Sequence, residues 1–424
     1  MDTIKYIDFY YYYAASYIRY LVSFVANKLE KFPPEIKVAA VISVLCGFAM
    51  IVLFLKMLFM SGNRKRIRLL KEHTEEVYSP GMKYILSAEA NKEMTTDEVY
   101  ELFGIDKQIN PEPLKKSREK EVFADVFYNY FINERAEGSR MSNIHTMLHI
   151  FGIPEHLEKQ VSLSSVKHKV DALNKLRAFG LPISTWIVNK LLNSKYLRLQ
   201  RLAMYTVIVS SSDSTLDYFE TEFFDKNSCI KDEIELAYSL SRRRKAGLKL
   251  PNLARWAHMH SREFTQCMFV RLMRRFNQVE YCGQLKDLFT QTRKKKLIEE
   301  ISRTWGYLNY VDGEPILLET LLTQPDDTKV AIMHALTRFG TGHGLDAMVD
   351  NFLHSHNPHV RYEALRCLYN YGDAGREMFN KLESEAREAD QKYFEFFHNP
   401  ITLGKVRLDK EQAYHPSVET LLNG

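Results

Sequence analysis

Residues 172–180 read Ala-Leu-Asn-Lys-Leu-Arg-Ala-Phe-Gly, 332–340 read Ile-Met-His-Ala-Leu-Thr-Arg-Phe-Gly, and 364–372 read Ala-Leu-Arg-Cys-Leu-Tyr-Asn-Tyr-Gly. In each, apolar residues fall at i, i+1, i+4 and i+7, one face of an α-helix, and the closing glycine supplies the left-handed residue that ends it. Weaker copies read Ile144-Leu148-Phe151-Gly152, Ala203-Met204-Val207-Ser211, Phe269-Val270-Met273-Phe276-Asn277 and Ile298-Trp305-Gly306. Their first positions step by 28–34 residues, apart from one interval of 66 that holds a degenerate copy near Leu236-Leu240. Behind them run second apolar stretches: Trp186–Leu192, Leu216–Phe224, Leu285–Phe289, Leu317–Leu322 and Leu345–Leu353. A hairpin striped on one side cannot bury that side alone, so neighbours must stack. The expected fold class is all-α.

The segment Asn357-Pro358-His359-Val360-Arg361, followed by Ala364-Leu365-Leu368 and Tyr371-Gly372-Asp373, resembles the HEAT-repeat family's pattern of turn, Val-Arg and Ala-Leu. Lys169, Lys295 and Lys329 stand at the arginine position of other copies, while Gln200 and Gln266 depart from it. The resemblance covers about residues 140–385 and implies a right-handed α-solenoid of about eight hairpins, with the second helices lining a concave surface. It is specific for fold and nearly silent on chemistry.

The chain's 424 residues, 45% hydrophobic and 26% charged, can bury a large core and exclude a disordered chain. A net charge of +5 falls short of the dense positive field of a dedicated nucleic-acid binder. Cys46, Cys229, Cys267, Cys282 and Cys367 form no CxxC pair and read as free thiols inside helical patterns.

Val38 to Leu55 is eighteen residues without a charge, long enough for a bilayer span, and a transmembrane helix is expected over 36–60. Lys56 can snorkel from its end, and Arg64, Lys65, Arg66, Arg68 and Lys71 lie within reach of headgroups, which favours a cytoplasmic carboxyl side. The expectation is a single-pass anchor in a cell membrane. Residues 1–35 carry Tyr6, Tyr10–Tyr13, Tyr17 and Tyr20 among apolar residues, as an interfacial amphipathic helix would. A first span over 9–26 is the competing reading, at a cost of about 2.5–3.5 kcal/mol for burying Arg19. Residues 61–118, with Ser79-Pro80-Gly81 and Asn110-Pro111-Glu112-Pro113, read as a basic juxtamembrane stretch and linker, holding a short capped helix that ends at Gly104. The repeat domain is expected over 119–385. Residues 386–424 read as a cap, built on Tyr393-Phe394-Glu395-Phe396-Phe397, and a tail.

Two basic runs, Arg242-Arg243-Arg244-Lys245 and Arg293-Lys294-Lys295-Lys296, with Arg271, Arg274 and Arg275 between them, could align one repeat apart into a patch for an anionic partner. The bland alternative is a solvated rim. His343, His354, His356 and His359 lack the cysteines or carboxylates of a metal site, and His145 and His149 lack the glutamate of HExxH, so no metal is expected. Gly340-Thr341-Gly342-His343-Gly344 reads as a turn between helices rather than a phosphate loop. No Walker loop, dinucleotide fingerprint or GxSxG elbow is present, so neither a catalytic residue nor a cofactor is expected.

The leading expectation is a membrane-anchored scaffold that binds a membrane-associated protein, such as a polysaccharide synthase, with membrane lipid as its other contact. The competing expectation is a nucleic-acid-binding, DNA-glycosylase-like HEAT protein that stacks bases on Trp256 or Trp305; the modest charge and the anchor weigh against nucleic acid. A third is an enzyme of the lyase kind holding a small ligand.

Overall fold

The computed structural model describes residues 33–134, 140–211, 216–220 and 222–399, with isolated positions among 16–27. Every regular element among the described residues is helical. The chain divides into two compact units, residues 1–92 with 97–139, and residues 93–96 with 140–424.

In the first unit, α1 (Pro34–Leu86) runs for 53 residues, roughly 80 Å at the α-helical rise, and starts on the proline that suits a first helical position. Two shorter helices follow, α2 (Thr96–Leu102) and α3 (Ser117–Asn133). The last turns of α1 pack on α3: Met82, Ile85 and Leu86 are buried with Phe123 and Phe127, and the Tyr78 ring meets Phe123 edge-on at 5.6 Å. Ser79-Pro80-Gly81 is therefore not the turn that the sequence suggests, and the stretch from 61 to 86 is helix rather than linker. Packing overrides local propensity here. A side chain at Gly81 would sit 2.7 Å from the Phe103 ring, so the glycine makes room for that ring instead of breaking the helix.

Along the first half of α1, Val38, Ile42, Val44, Leu45, Phe48, Met50 to Leu55 and Met57 are exposed. The side chains of residues 37, 40, 41 and 58–60 lie outside the described set. Among the described residues no helix is long and apolar enough to cross a membrane, so the structure does not show the transmembrane helix expected at 36–60. Most of the Tyr-rich segment and the tail beyond 399 also lie outside the described residues.

The second unit alternates two kinds of helix. The first helices are α4 (Met141–Ile150), α6 (Val166–Phe179), α8 (Leu197–Ser210), α10 (Ile230–Lys245), α12 (Glu263–Arg275), α14 (Lys295–Tyr307), α16 (Asp326–Phe339) and α18 (Pro358–Asn370). The second helices are α5 (Ile153–Leu163), α7 (Thr185–Leu192), α9 (Glu222–Asn227), α11 (Leu253–Met259), α13 (Leu285–Gln291), α15 (Glu314–Leu321), α17 (Leu345–His354) and α19 (Asp373–Ser384), after which comes α20 (Glu388–His398). Each first helix packs on the next first helix, and α5, α7, α11 and α17 pack on the first helix that follows them. One hydrophobic core runs without a break from Val188 to Phe397. At its end Tyr393, Phe394 and Phe397 of α20 are buried, and Phe379 meets Phe394 and Phe397 at 5.2 and 5.0 Å.

The repeating stripe is the buried face: Ala172, Leu173, Leu176 and Phe179, and likewise Ala364, Leu365 and Leu368, are fully buried. Gly180 and Gly340 take φ of 66° and 65° at the ends of α6 and α16, the left-handed caps that the pattern requires, and Asn277 does the same at 56°. The copy ending in Gly306 departs from expectation, because α14 continues to Tyr307 and Asn309 takes the left-handed conformation instead. Gly306 serves close approach: a Cβ there would stand 2.7 Å from Ala335 Cα on α16.

Candidate functional site

The structure does not gather the predicted basic residues into one patch. Arg242–Lys245 close α10, whereas Arg293 and Lys294–Lys296 open α14, at the other end of a first helix. Arg243 is fully buried and donates to the carbonyls of Ile208, Ser211 and Lys249 at 2.8, 2.6 and 2.6 Å. Arg242 donates to the Ala178 carbonyl of α6, and Lys294 to the side-chain oxygen of Gln266 at 2.7 Å. Arg244, Lys245, Arg293, Lys295 and Lys296 are exposed, and Arg275 is half-buried. The membrane-interface group lies along α1, where Lys56, Arg64, Lys65, Arg66, Arg68 and Lys71 are all exposed. Arg68 and Lys71 pair with Glu72 and Glu75 one helical turn on, at 2.9 and 3.6 Å.

Arg271 and Arg274 belong to a different arrangement, a series of ion pairs that joins one first helix to another. Arg271 of α12 donates two bonds to Glu233 of α10 at 2.8 and 2.6 Å. Arg274 reaches Glu300 of α14 at 3.4 Å, and His334 of α16 meets Glu363 of α18 at 2.7 Å. Arg361 of α18 pairs with Asp390 of α20 at 2.5 Å. At the other end of the series, Arg201 of α8 meets Asp232 of α10 at 3.2 Å, and Arg177 of α6 reaches past α8 to Glu235 of α10 at 2.5 Å. Planar guanidinium groups suit such two-point contacts to carboxylates.

Two clefts open on this same face. The larger, about 590 Å³, is lined by Asn174 and Arg177 of α6, Arg198, Arg201 and Tyr205 of α8, and Lys231, Asp232 and Glu235 of α10. The smaller, about 400 Å³, lies between α12 and α14 and includes Phe264, Cys267, Arg271, Lys296, Glu299 and Arg303. Both are walled by first helices, not by the second helices that the HEAT resemblance implies for a recognition surface. Burial, followed by the adjoining Asp232 carboxylate, pushes the Tyr205 hydroxyl well above its ordinary pKa, and that hydroxyl donates to Asp232. Burial raises the Cys267 thiol to about 12, which makes it a poor nucleophile. Burial disfavours the charge on Arg271, but the hydrogen bond to Glu233 outweighs it and the net shift is upward. For Arg274 burial prevails and the shift is downward. Charges paired in this way hold position and can recognise polar groups.

Sequence reasoning missed Arg177, Arg201, Tyr205, Asp232, Glu233 and Glu300. Their signal was a charged residue recurring beside each apolar stripe, visible only once neighbouring helices are set side by side. Trp256 and Trp305, the expected base-stacking groups, are fully buried and cannot meet a base. Among the described residues no three metal-ligating side chains cluster. His145 shares its Nε2 with the Phe179 carbonyl at 2.7 Å, and burial lowers its pKa. Neither the protein-family models nor the curated proteins include a match to this chain.

Proposed function

We propose that this chain is a membrane-tethered scaffold: a right-handed α-solenoid of about eight HEAT-like hairpins, held at the cytoplasmic face by α1 and binding a membrane-associated protein through the clefts of its first helices. The observation that carries this reading is α1 itself. Its outward apolar run from Val38 continues as one helix through exposed Arg64, Lys65 and Arg66 into turns that pack on α3. An apolar stretch presented on all sides suits lipid, and a basic stretch beside it suits the anionic cytoplasmic leaflet. The solenoid reading is supported by the regular packing of each first helix on the next. Tethering raises the effective concentration of a partner in the same membrane, so modest clefts suffice.

A photoactivatable residue at Asn174 or Phe264, in the full chain in its native membranes, is expected to give a discrete adduct to one protein. The same residue at exposed Glu377 on α19 is expected to give none. Absence of any adduct at both clefts would overturn the scaffold reading.

A further inference from the structure

Three consecutive first helices open alike. Val166-Lys167, Leu197-Arg198 and Ile230-Lys231 occupy the first two positions of α6, α8 and α10, an apolar residue followed by a cation, all exposed. α14 opens on Lys295-Lys296 behind exposed Arg293. α6, α8 and α14 carry no acid in their first turn, whereas α10 carries Asp232 and Glu233 and α12 carries Glu263. Helix N-termini bear a partial positive charge and favour acids, so cations placed there repeatedly cost stability. An external anion would offset that cost.

Large apolar tips stand beside these cations. Leu163, Ile230 and Met259 are 73%, 71% and 54% exposed, and Tyr196 and Leu197 also face out. The turns from α8 to α14 are joined side by side. Arg201 donates to the Asn227 carbonyl, Arg262 to the Ser228 carbonyl at 3.0 Å, and Lys294 to the Ser261 carbonyl. The acids of this edge are turned inward. Asp225 accepts from the backbone N–H of Ser261 and Arg262 at 3.1 Å, and buried Asp232 accepts from the Cys229 N–H at 2.7 Å. Glu263 is half-buried. The pattern ends at α16, whose first turn carries Asp326 and Asp327.

We infer that the turns leading into α6, α8, α10, α12 and α14 form a docking edge for an anionic bilayer surface. Cations alone would serve nucleic acid equally well, but protruding leucine, isoleucine and methionine side chains need an apolar phase to enter, and tyrosine favours the interface. Lipid supplies both the phosphate and the hydrocarbon. This edge is separate from the first-half run of α1, and the inference stands or falls without the tether.

The test uses the full chain in vesicles of phosphatidylcholine, with or without phosphatidylglycerol, doped with a photoactivatable phospholipid, and adducts are mapped by mass spectrometry. Adducts at 163–167, 195–198, 229–231 and 258–262 are expected to rise several-fold with phosphatidylglycerol. They are expected to disappear in the variant R198E/K231E/K295E/K296E, whose changes are all at exposed positions and whose helicity is checked by circular dichroism. Residues 38–57 report on the tether in the same sample. Labelled 38–57 with unlabelled turns would overturn the docking edge and leave the tether standing, and labelled turns with unlabelled 38–57 would do the reverse. Turn labelling that ignores lipid charge, or equals that at residues 244–249 on the opposite ends, would also overturn the docking edge.

Discussion

Arg243 and Arg244 are adjacent in one basic run, yet their environments are opposite: Arg243 is fully buried and Arg244 is exposed. The difference originates 32 residues earlier in the chain. Where other first helices end on a left-handed glycine or asparagine, α8 ends on Ser211 in an extended conformation, ψ 136°, and so lacks the backbone hydrogen bonds that a left-handed cap brings to the terminal carbonyls. The Arg243 guanidinium takes the carbonyls of Ile208 and Ser211 and also that of Lys249. Replacing it with methionine removes three hydrogen bonds from a charged donor, worth about 1.5–3 kcal/mol each. Arg243→Met is therefore expected to lower unfolding free energy by roughly 3 kcal/mol or more, and Arg244→Met by less than about 0.5 kcal/mol. Chemical denaturation of the two variants checks this, and equal effects would refute the capping role. The residue types of this run were legible in the sequence, but their roles were not, because the deciding fact is a missing cap on a neighbouring helix.

The helices tell the same story about the HEAT-like arginine position. Lys169 donates to the Ser162 carbonyl at 3.4 Å, Gln200 to Leu192 and Ser194 at 2.9 and 2.6 Å, Gln266 to His260 at 2.8 Å, and Arg361 to Phe352 at 2.7 Å. In each case a side-chain donor on a first helix reaches a carbonyl at or near the end of the second helix before it. Gln200 and Gln266, which break the charge pattern in sequence, keep the hydrogen bond, because the site asks for an N–H rather than a charge. The stripes made most first helices readable. α11, by contrast, went unread because its copy lacks a clear stripe, and α9 is cut short behind a turn of 3-10 helix at Asp217–Glu220. Between α16 and α18, burial pushes the His334 imidazolium down, but Cys367 and Glu363 outweigh it and lift the pKa to about 9, against an ordinary 6.5. Burial raises Glu363 in turn, yet the hydrogen bond from His334 holds its carboxyl below the usual range. A raised histidine stabilises fully below its unfolded pKa and loses that contribution as pH rises through the folded value. The thermal midpoint is expected to fall between pH 6.5 and 9, and that fall should be smaller in His334→Gln, as followed by circular dichroism melts.

At the scale of the molecule, the sequence announced an all-helical chain whose repeats must stack, and the helices of the second unit pack in that order. Which side of the stack carries the clefts was not legible. The apolar pattern marks the buried face of each helix and says nothing of which outer face faces a partner, and the clefts prove to lie on the first helices. The first unit was the harder to read, since Pro80 and Gly81 look like a break and lie inside α1. The proposed tether makes α1 the part that holds a helical scaffold to a bilayer. Alkaline carbonate extraction of membranes carrying the full chain, beside a variant lacking residues 38–57, tests it most directly. The intact chain is expected to stay in the membrane pellet, and the deletion to move to the supernatant with its helical circular dichroism kept. Release of the intact chain by carbonate would show that α1 is not embedded in the bilayer.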